Sequence, residues 1–210
     1  MTYKIVRSNR KTVCLSVTAE NDITVRCPLN MREEKIDEFV ESKKDWLLKI
    51  LAENSKKLDA NKEITAYEKI YICGNKLPLI ISNKNEIADD GVYVTSLKRI
   101  KPLFISTYSG VLIYIAEKTA QKYGFRVESF NIKAYKRRWG CCDKKGNITF
   151  NYFLFMLPPS LQRYVIIHEL CHTVHFDHSQ EFWKLVACFE PSCKQLRKQL
   201  KSFDFLINLY

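Results

Sequence analysis

All four histidines of this 210-residue chain fall between positions 168 and 178. The segment reads His168-Glu169-Leu170-Cys171-His172-Thr173-Val174-His175-Phe176-Asp177-His178. It lies in an apolar stretch that includes Leu161, Val165, Ile166, Ile167 and Leu170. A helix of these residues is apolar on most sides, the pattern of a buried helix. Two imidazoles and a carboxylate are costly to bury without a partner, so the pattern calls for a cation. His168 and His172 stand one helical turn apart on one face, with Cβ atoms about 5–6 Å from each other. Both rings then reach a single Zn²⁺ at about 2.0–2.1 Å.

Glu169 is rotated off that face but stays near the metal, as in an HExxH helix where the glutamate is general base to a zinc-activated water. Catalytic zinc takes three protein ligands and keeps one position open. His178, ten residues after His168, is the favoured third ligand. Metzincins share that spacing but turn the chain at a glycine, whose place is taken here by His175. The turn is therefore expected at Phe176-Asp177, or His178 enters from the start of the next helix. His175, Glu181 and Glu190 are the rival ligands. The expected activity is zinc-dependent hydrolysis of peptide bonds. The alternative is a non-catalytic, zinc-stabilised module binding nucleic acid or another partner. Glu169 argues against it, because a structural site gains nothing from that carboxylate.

The rest of the composition narrows the field. The net charge of +11 would suit a nucleic-acid partner. The basic residues are spread along the chain, however, with the densest group at Lys133, Lys136, Arg137, Arg138, Lys144 and Lys145. This reads as a generally basic solvated surface. Eight cysteines contain no Cys-x-x-Cys pair, which argues for buried free thiols over a zinc ribbon. The six scattered glycines form no phosphate loop. Apolar runs are too short to span a bilayer and the first residues are polar, so a cytoplasmic location is expected.

Strand patterns at 3–8, 12–18 and 22–27 suggest an antiparallel meander, followed by an amphipathic helix over 32–53 and a surface connection over 54–66. Strands are expected near 69–73, 77–82 and 92–95, with a hairpin turn at Cys73-Gly74-Asn75-Lys76 and a loop over 83–91. A helix over 107–123 ends at Gly124. Strands at 126–132, 134–138 and 147–154 precede a helix from Ser160, as N-cap, to about 175. Helices over 179–189 and 192–203 complete the chain. The fold class is α+β. A β-rich region with a long helix, 1–104, is expected to join a zincin-like catalytic region, 105–210, in one compact unit. The 147–154 strand is the candidate to pair with extended substrate. Tyr152 and Tyr164 are the phenols that could assist an oxyanion.

Further motifs carry a resemblance. Tyr3–Arg10 with Lys11, Val25-Arg26-Cys27-Pro28, Phe39–Leu51 with Trp46, Arg138-Trp139-Gly140-Cys141-Cys142, Pro158-Pro159, Tyr164-Val165-Ile166 and His178-Ser179 with Phe182-Trp183 all stand in order. With the HELxH segment they resemble the YgjP-like metallopeptidase domain family, similar in its catalytic region to SprT-type zinc peptidases. The resemblance spans nearly the whole chain. It implies zinc on His168, His172 and His178, Glu169 as catalytic base, and a peptide or protein substrate. Cys141 replaces the usual serine of the RWGSC signature, and Asp177 a frequent asparagine. Cys141 would alter the site only if it faced it.

Overall fold

The computed structural model describes residues 2–18 and 21–208. It comprises two compact units, Met1–Thr65 and Ala66–Tyr210. The division falls ahead of the step between 104 and 105 expected from sequence. The described residues are mixed α+β, with seven α-helices and three small mixed sheets. None of the helices is long and apolar enough to cross a membrane.

In the first unit, β1 (Lys4–Ser8), β2 (Cys14–Val17) and β3 (Ile23–Pro28) form a sheet of order β1-β3-β2. The three strands were expected, but not as a simple meander. β1 runs parallel to β3, Lys4 facing Thr24, while β2 runs antiparallel to β3. β3 has the strongest period-two pattern, with Ile23, Val25 and Cys27 buried, and so takes the central place. These side chains pack on Ile36, Val40 and Leu47. The expected 32–53 helix is two helices, α1 (Glu33–Glu41) and α2 (Lys44–Ala60). They break where Ser42 Oγ donates to the Phe39 carbonyl at 2.7 Å and Lys43 leaves helical geometry. The break turns both apolar faces onto one sheet. α2 continues through much of the expected 54–66 connection, and α3 (Lys62–Thr65) follows.

The second unit opens with β4 (Lys69–Ile72), β5 (Asn75–Ile81), β6 (Glu86–Ala88) and β7 (Gly91–Val94), in the order β4-β5-β7-β6. β6 lies in the segment expected to be a loop. The Cys73-Gly74 turn has both φ angles positive, 49° and 85°, as a type I′ hairpin requires. α4 (Ile100–Tyr123) begins earlier than expected, with Pro102 in its first turn where no amide bond is lost. Gly124 ends it at φ 74°.

A sheet of order β8-β10-β9 follows, from β8 (Ser129–Lys133), β9 (Gly140–Cys142) and β10 (Asn147–Asn151). The strand expected over 134–138 is a loop, held by Asn151. That fully buried side chain donates to the carbonyls of Tyr135 at 2.8 Å and Arg138 at 3.0 Å. The end of the expected 147–154 strand is instead a 3₁₀ turn, Tyr152–Met156.

α5 (Pro159–Cys171) then runs through the interior, with Leu161, Ile166, Ile167, Leu170 and Cys171 wholly buried. Its N-cap is Pro158 rather than Ser160, and it stops at His172 rather than near 175. α6 (Gln180–Phe189), α7 (Cys193–Leu200) and a 3₁₀ segment (Lys201–Asn208) complete the unit. The turn at Cys73-Gly74 docks where α5 begins. Cys73 N–H donates to the Phe155 carbonyl at 2.9 Å, and Gly74 N–H to that of Met156 at 3.0 Å. A Cβ on Gly74 would lie 2.8 Å from Pro158 Cγ and 3.0 Å from its Cα. Gly74→Ala is therefore expected to destabilise the protein by about 1–3 kcal/mol, read as a lower denaturation midpoint. An unchanged midpoint would refute this docking.

Candidate metal centre

His168 lies in the last turn of α5 and His172 at its C-cap. The chain then leaves the helix through a tight turn in which the amides of Val174 and His175 both donate to the Cys171 carbonyl, at 3.1 and 3.0 Å. No residue from 172 to 178 has a positive φ, so the turn needs no glycine. Asp177 accepts the Ser179 amide at 3.2 Å, and Ser179 caps α6 by accepting from the Phe182 amide at 3.3 Å. His178 therefore enters immediately ahead of α6.

These elements bring the three imidazoles together. His168 Nε2 lies 3.2 Å from Nε2 of His172 and 3.2 Å from Nε2 of His178. Ligand atoms of all three fall within 4.8 Å of one another. Nitrogens bound tetrahedrally at about 2.0–2.1 Å stand roughly 3.3 Å apart, so the donor set fits a zinc ion. Tautomer and orientation are also suitable. His172 Nδ1–H donates to the His175 carbonyl at 3.0 Å, which leaves Nε2 as the free lone pair. Burial, with the nearby His172 and His178, pulls His168 down to about 3, so its ring is neutral as a ligand must be. Burial also lowers His172. Phe182, wholly buried, stacks on His172 at 4.4 Å and meets the other two rings edge-on at 5.0 Å. Phe182, part of the motif that carries the family resemblance, packs on the imidazole cluster itself.

Glu169 lies against Gly140 of β9. A Cβ on Gly140 would lie 2.8 Å from both Cγ and Oε1 of Glu169. The carboxyl is buried, and burial pushes its pKa up to about 8, opposed by the Arg138 guanidinium. Glu169 shares a cleft of about 460 Å³ with His168, His178 and Tyr164. Burial raises the Tyr164 phenol to about 12. Tyr152 lines a separate void beside Tyr108, which separates the two phenols that sequence could not.

The remaining candidates lie apart from the cluster. His175 contributes its carbonyl, Glu190 pairs with Arg163 at 3.2 Å, and neither it nor Glu181 joins the three histidines. Cys141 Sγ sits 3.1 Å from the Tyr135 hydroxyl, one residue out of phase with Gly140 on the strand, and so faces away from Glu169. β10 is not available for pairing with substrate along either edge, since β8 and β9 flank it. β8 and β9 are the edge strands, and β9 is the one that lies against Glu169. Neither Gly140 nor Asn151 was singled out as functional from sequence, although Gly140 stood inside the RWGSC-like motif.

The YgjP-like metallopeptidase domain model matches residues 11–203. The chain belongs to the YgjP-like metallopeptidase family. No match was found among curated proteins. Among solved structures the chain is similar to the metallopeptidase zymogen abylysin of Pyrococcus abyssi, at 23% identity and a TM-score of 0.38, covering 42% of this chain and 90% of that one. Membership of the family supports a metallopeptidase acting on peptides or proteins, and implies a metal. It offers no support for nucleic-acid binding.

In the metal-free YgjP-like protein, folded Glu169 keeps its proton up to about pH 8, whereas the ordinary value is 4.5. The folded state therefore binds the extra proton between these values, and stability falls as pH rises through them. Glu169→Gln removes this slope. After chelation, the variant's gain in unfolding midpoint over the parent should be larger at pH 8 than near pH 4.5. An equal difference at both would show that the carboxyl is not buried.

Proposed function

We propose that this protein is a zinc-dependent metallopeptidase in which His168, His172 and His178 hold the ion and Glu169 is the general base. The single observation that carries the reading is the convergence of three Nε2 atoms, with His168 Nε2 3.2 Å from each of the others. Zinc held there would supply a Lewis acid for the scissile carbonyl and acidify an attacking water.

The chain's own groups supply the rest. The Glu169 carboxylate accepts a proton from the water and passes it to the leaving amine. Gly140 leaves the room that this carboxylate occupies. The Tyr164 phenol, kept protonated by burial, is the cleft's donor for a developing oxyanion. The β9 edge offers backbone groups along which an extended peptide can be added as a further strand.

A Glu169→Gln protein should retain about one zinc per chain while hydrolysis of an unfolded test protein falls roughly 10²–10⁴-fold. Equal cleavage by variant and parent would remove Glu169 from the chemistry. His178→Ala should bind zinc measurably more weakly by competition with a chelator.

Gly140→Ala tests the placement of the base. The added methyl meets the Glu169 side chain first, not backbone, so zinc content and folding should hold while kcat falls about tenfold or more. The same change in a Glu169→Gln background should cost nothing further. An additive loss there would show that Gly140 acts by another route.

A further inference from the structure

The cleft beside the three imidazoles carries an imbalance of charge that the proposed chemistry does not use. Arg138 and Arg197 both line it, and the sole acid among its lining residues is Glu169. Among the described residues neither arginine has a carboxylate within ion-pair distance, although Arg138 is near enough to Glu169 to oppose the rise of its pKa. Arg138 follows the loop held by Asn151 and lies 5.7 Å from the Tyr135 ring centroid. Arg197 comes from α7.

Arg197 is the more closely organised of the two. Its guanidinium lies 4.7 Å over the Trp183 ring, and Trp183 stacks in turn on His178 at 5.6 Å and 29°. Guanidinium and imidazole thus both contact the one indole. A planar fork stacked on an aromatic face has lost little further freedom when it meets an anion, and its donors match a carboxylate in pairs.

We infer that Arg197, with Arg138 in the same cleft, forms a carboxylate-binding subsite, so that the substrates are peptides bearing an acidic group beside the scissile bond. The inference rests on the peptidase reading and names its substrate class. The carboxylate is either an Asp or Glu side chain or the free C-terminus of a short peptide. Either would be drawn to the cleft by its charge and fixed by the Arg197 fork.

The test uses matched peptides carrying Glu or Gln next to one cleavable bond, each with a free or an amidated C-terminus. For the zinc-loaded protein, kcat/KM for an acidic peptide should exceed that of its neutral twin about tenfold or more, and the ratio should shrink as salt is raised. Arg197→Met retains an unbranched chain over Trp183 but removes the fork, and should bring the ratio close to one. Preference for Glu over Gln assigns the subsite to a side chain, and preference for the free over the amidated end assigns it to the terminus. The absence of both preferences in the parent overturns the inference. A loss in Arg197→Met that is equal for acidic and neutral peptides also overturns it, because it leaves Arg197 a packing role only. Calorimetric binding of the same peptides to zinc-loaded Glu169→Gln protein reads the preference without turnover. If nothing is cleaved but the acidic peptides bind more tightly, the peptidase reading fails and the subsite stands. If cleavage occurs with no preference, the subsite alone fails.

Discussion

Helix α5 runs through the interior with apolar side chains on nearly all sides, so the polar groups near its end are taken out of water. Desolvation then sets their states in opposite directions. It strips the proton from His168 and keeps one on Glu169 in the absence of a cation. Neutral imidazoles are what a divalent ion requires. A carboxyl whose ordinary ionised form is disfavoured is a stronger base once it does ionise. The burial that makes this helix expensive is also what prepares its chemistry, and the neighbouring elements can be read as supports for that one buried end.

Those supports come from distant parts of the second unit. The Cys73-Gly74 turn seats the start of α5, and the buried Asn151 amide shapes the loop that delivers Arg138, Trp139 and Gly140 to its end. Trp139 is tied by its indole N–H to Asp204 at 2.9 Å, which anchors the approach to β9 from the C-terminal segment. Phe182 and Trp183, adjacent on α6, hold the imidazoles from two sides. The site is consequently rigid through packing and backbone hydrogen bonds, with few ion pairs around it. Rigid donors of this kind lose little on binding a metal or a substrate.

Much of this was legible from residue order. The one-turn spacing of His168 and His172, the later His178, the Gly124 cap and the Cys73-Gly74 turn follow from local geometry, which a linear pattern encodes directly. Other features were not. β9 is three residues long and begins with glycine and two cysteines, too short for any alternation to register. The polar end of α2, from Asn54 on, reads as a connection because it has no apolar stripe, yet it simply prolongs a helix already started. The parallel pairing of β1 with β3 and the break at Ser42-Lys43 both answer to the sheet and helices burying one shared set of side chains. Neighbouring residues cannot reveal such a demand.

The sequence by itself determined which groups could meet a metal, because helical periodicity places His168, Glu169 and His172 within one turn whatever surrounds them. It also determined that the helix carrying them would be buried. Only the tertiary structure brought His178, and not His175, Glu181 or Glu190, beside His168 and His172, put Tyr164 rather than Tyr152 in the cleft, and made Gly140 the wall against Glu169. It also set Arg197 and His178 on Trp183. Each of these depends on where a second element crosses the first, and that crossing is settled by the packing of whole surfaces against one another.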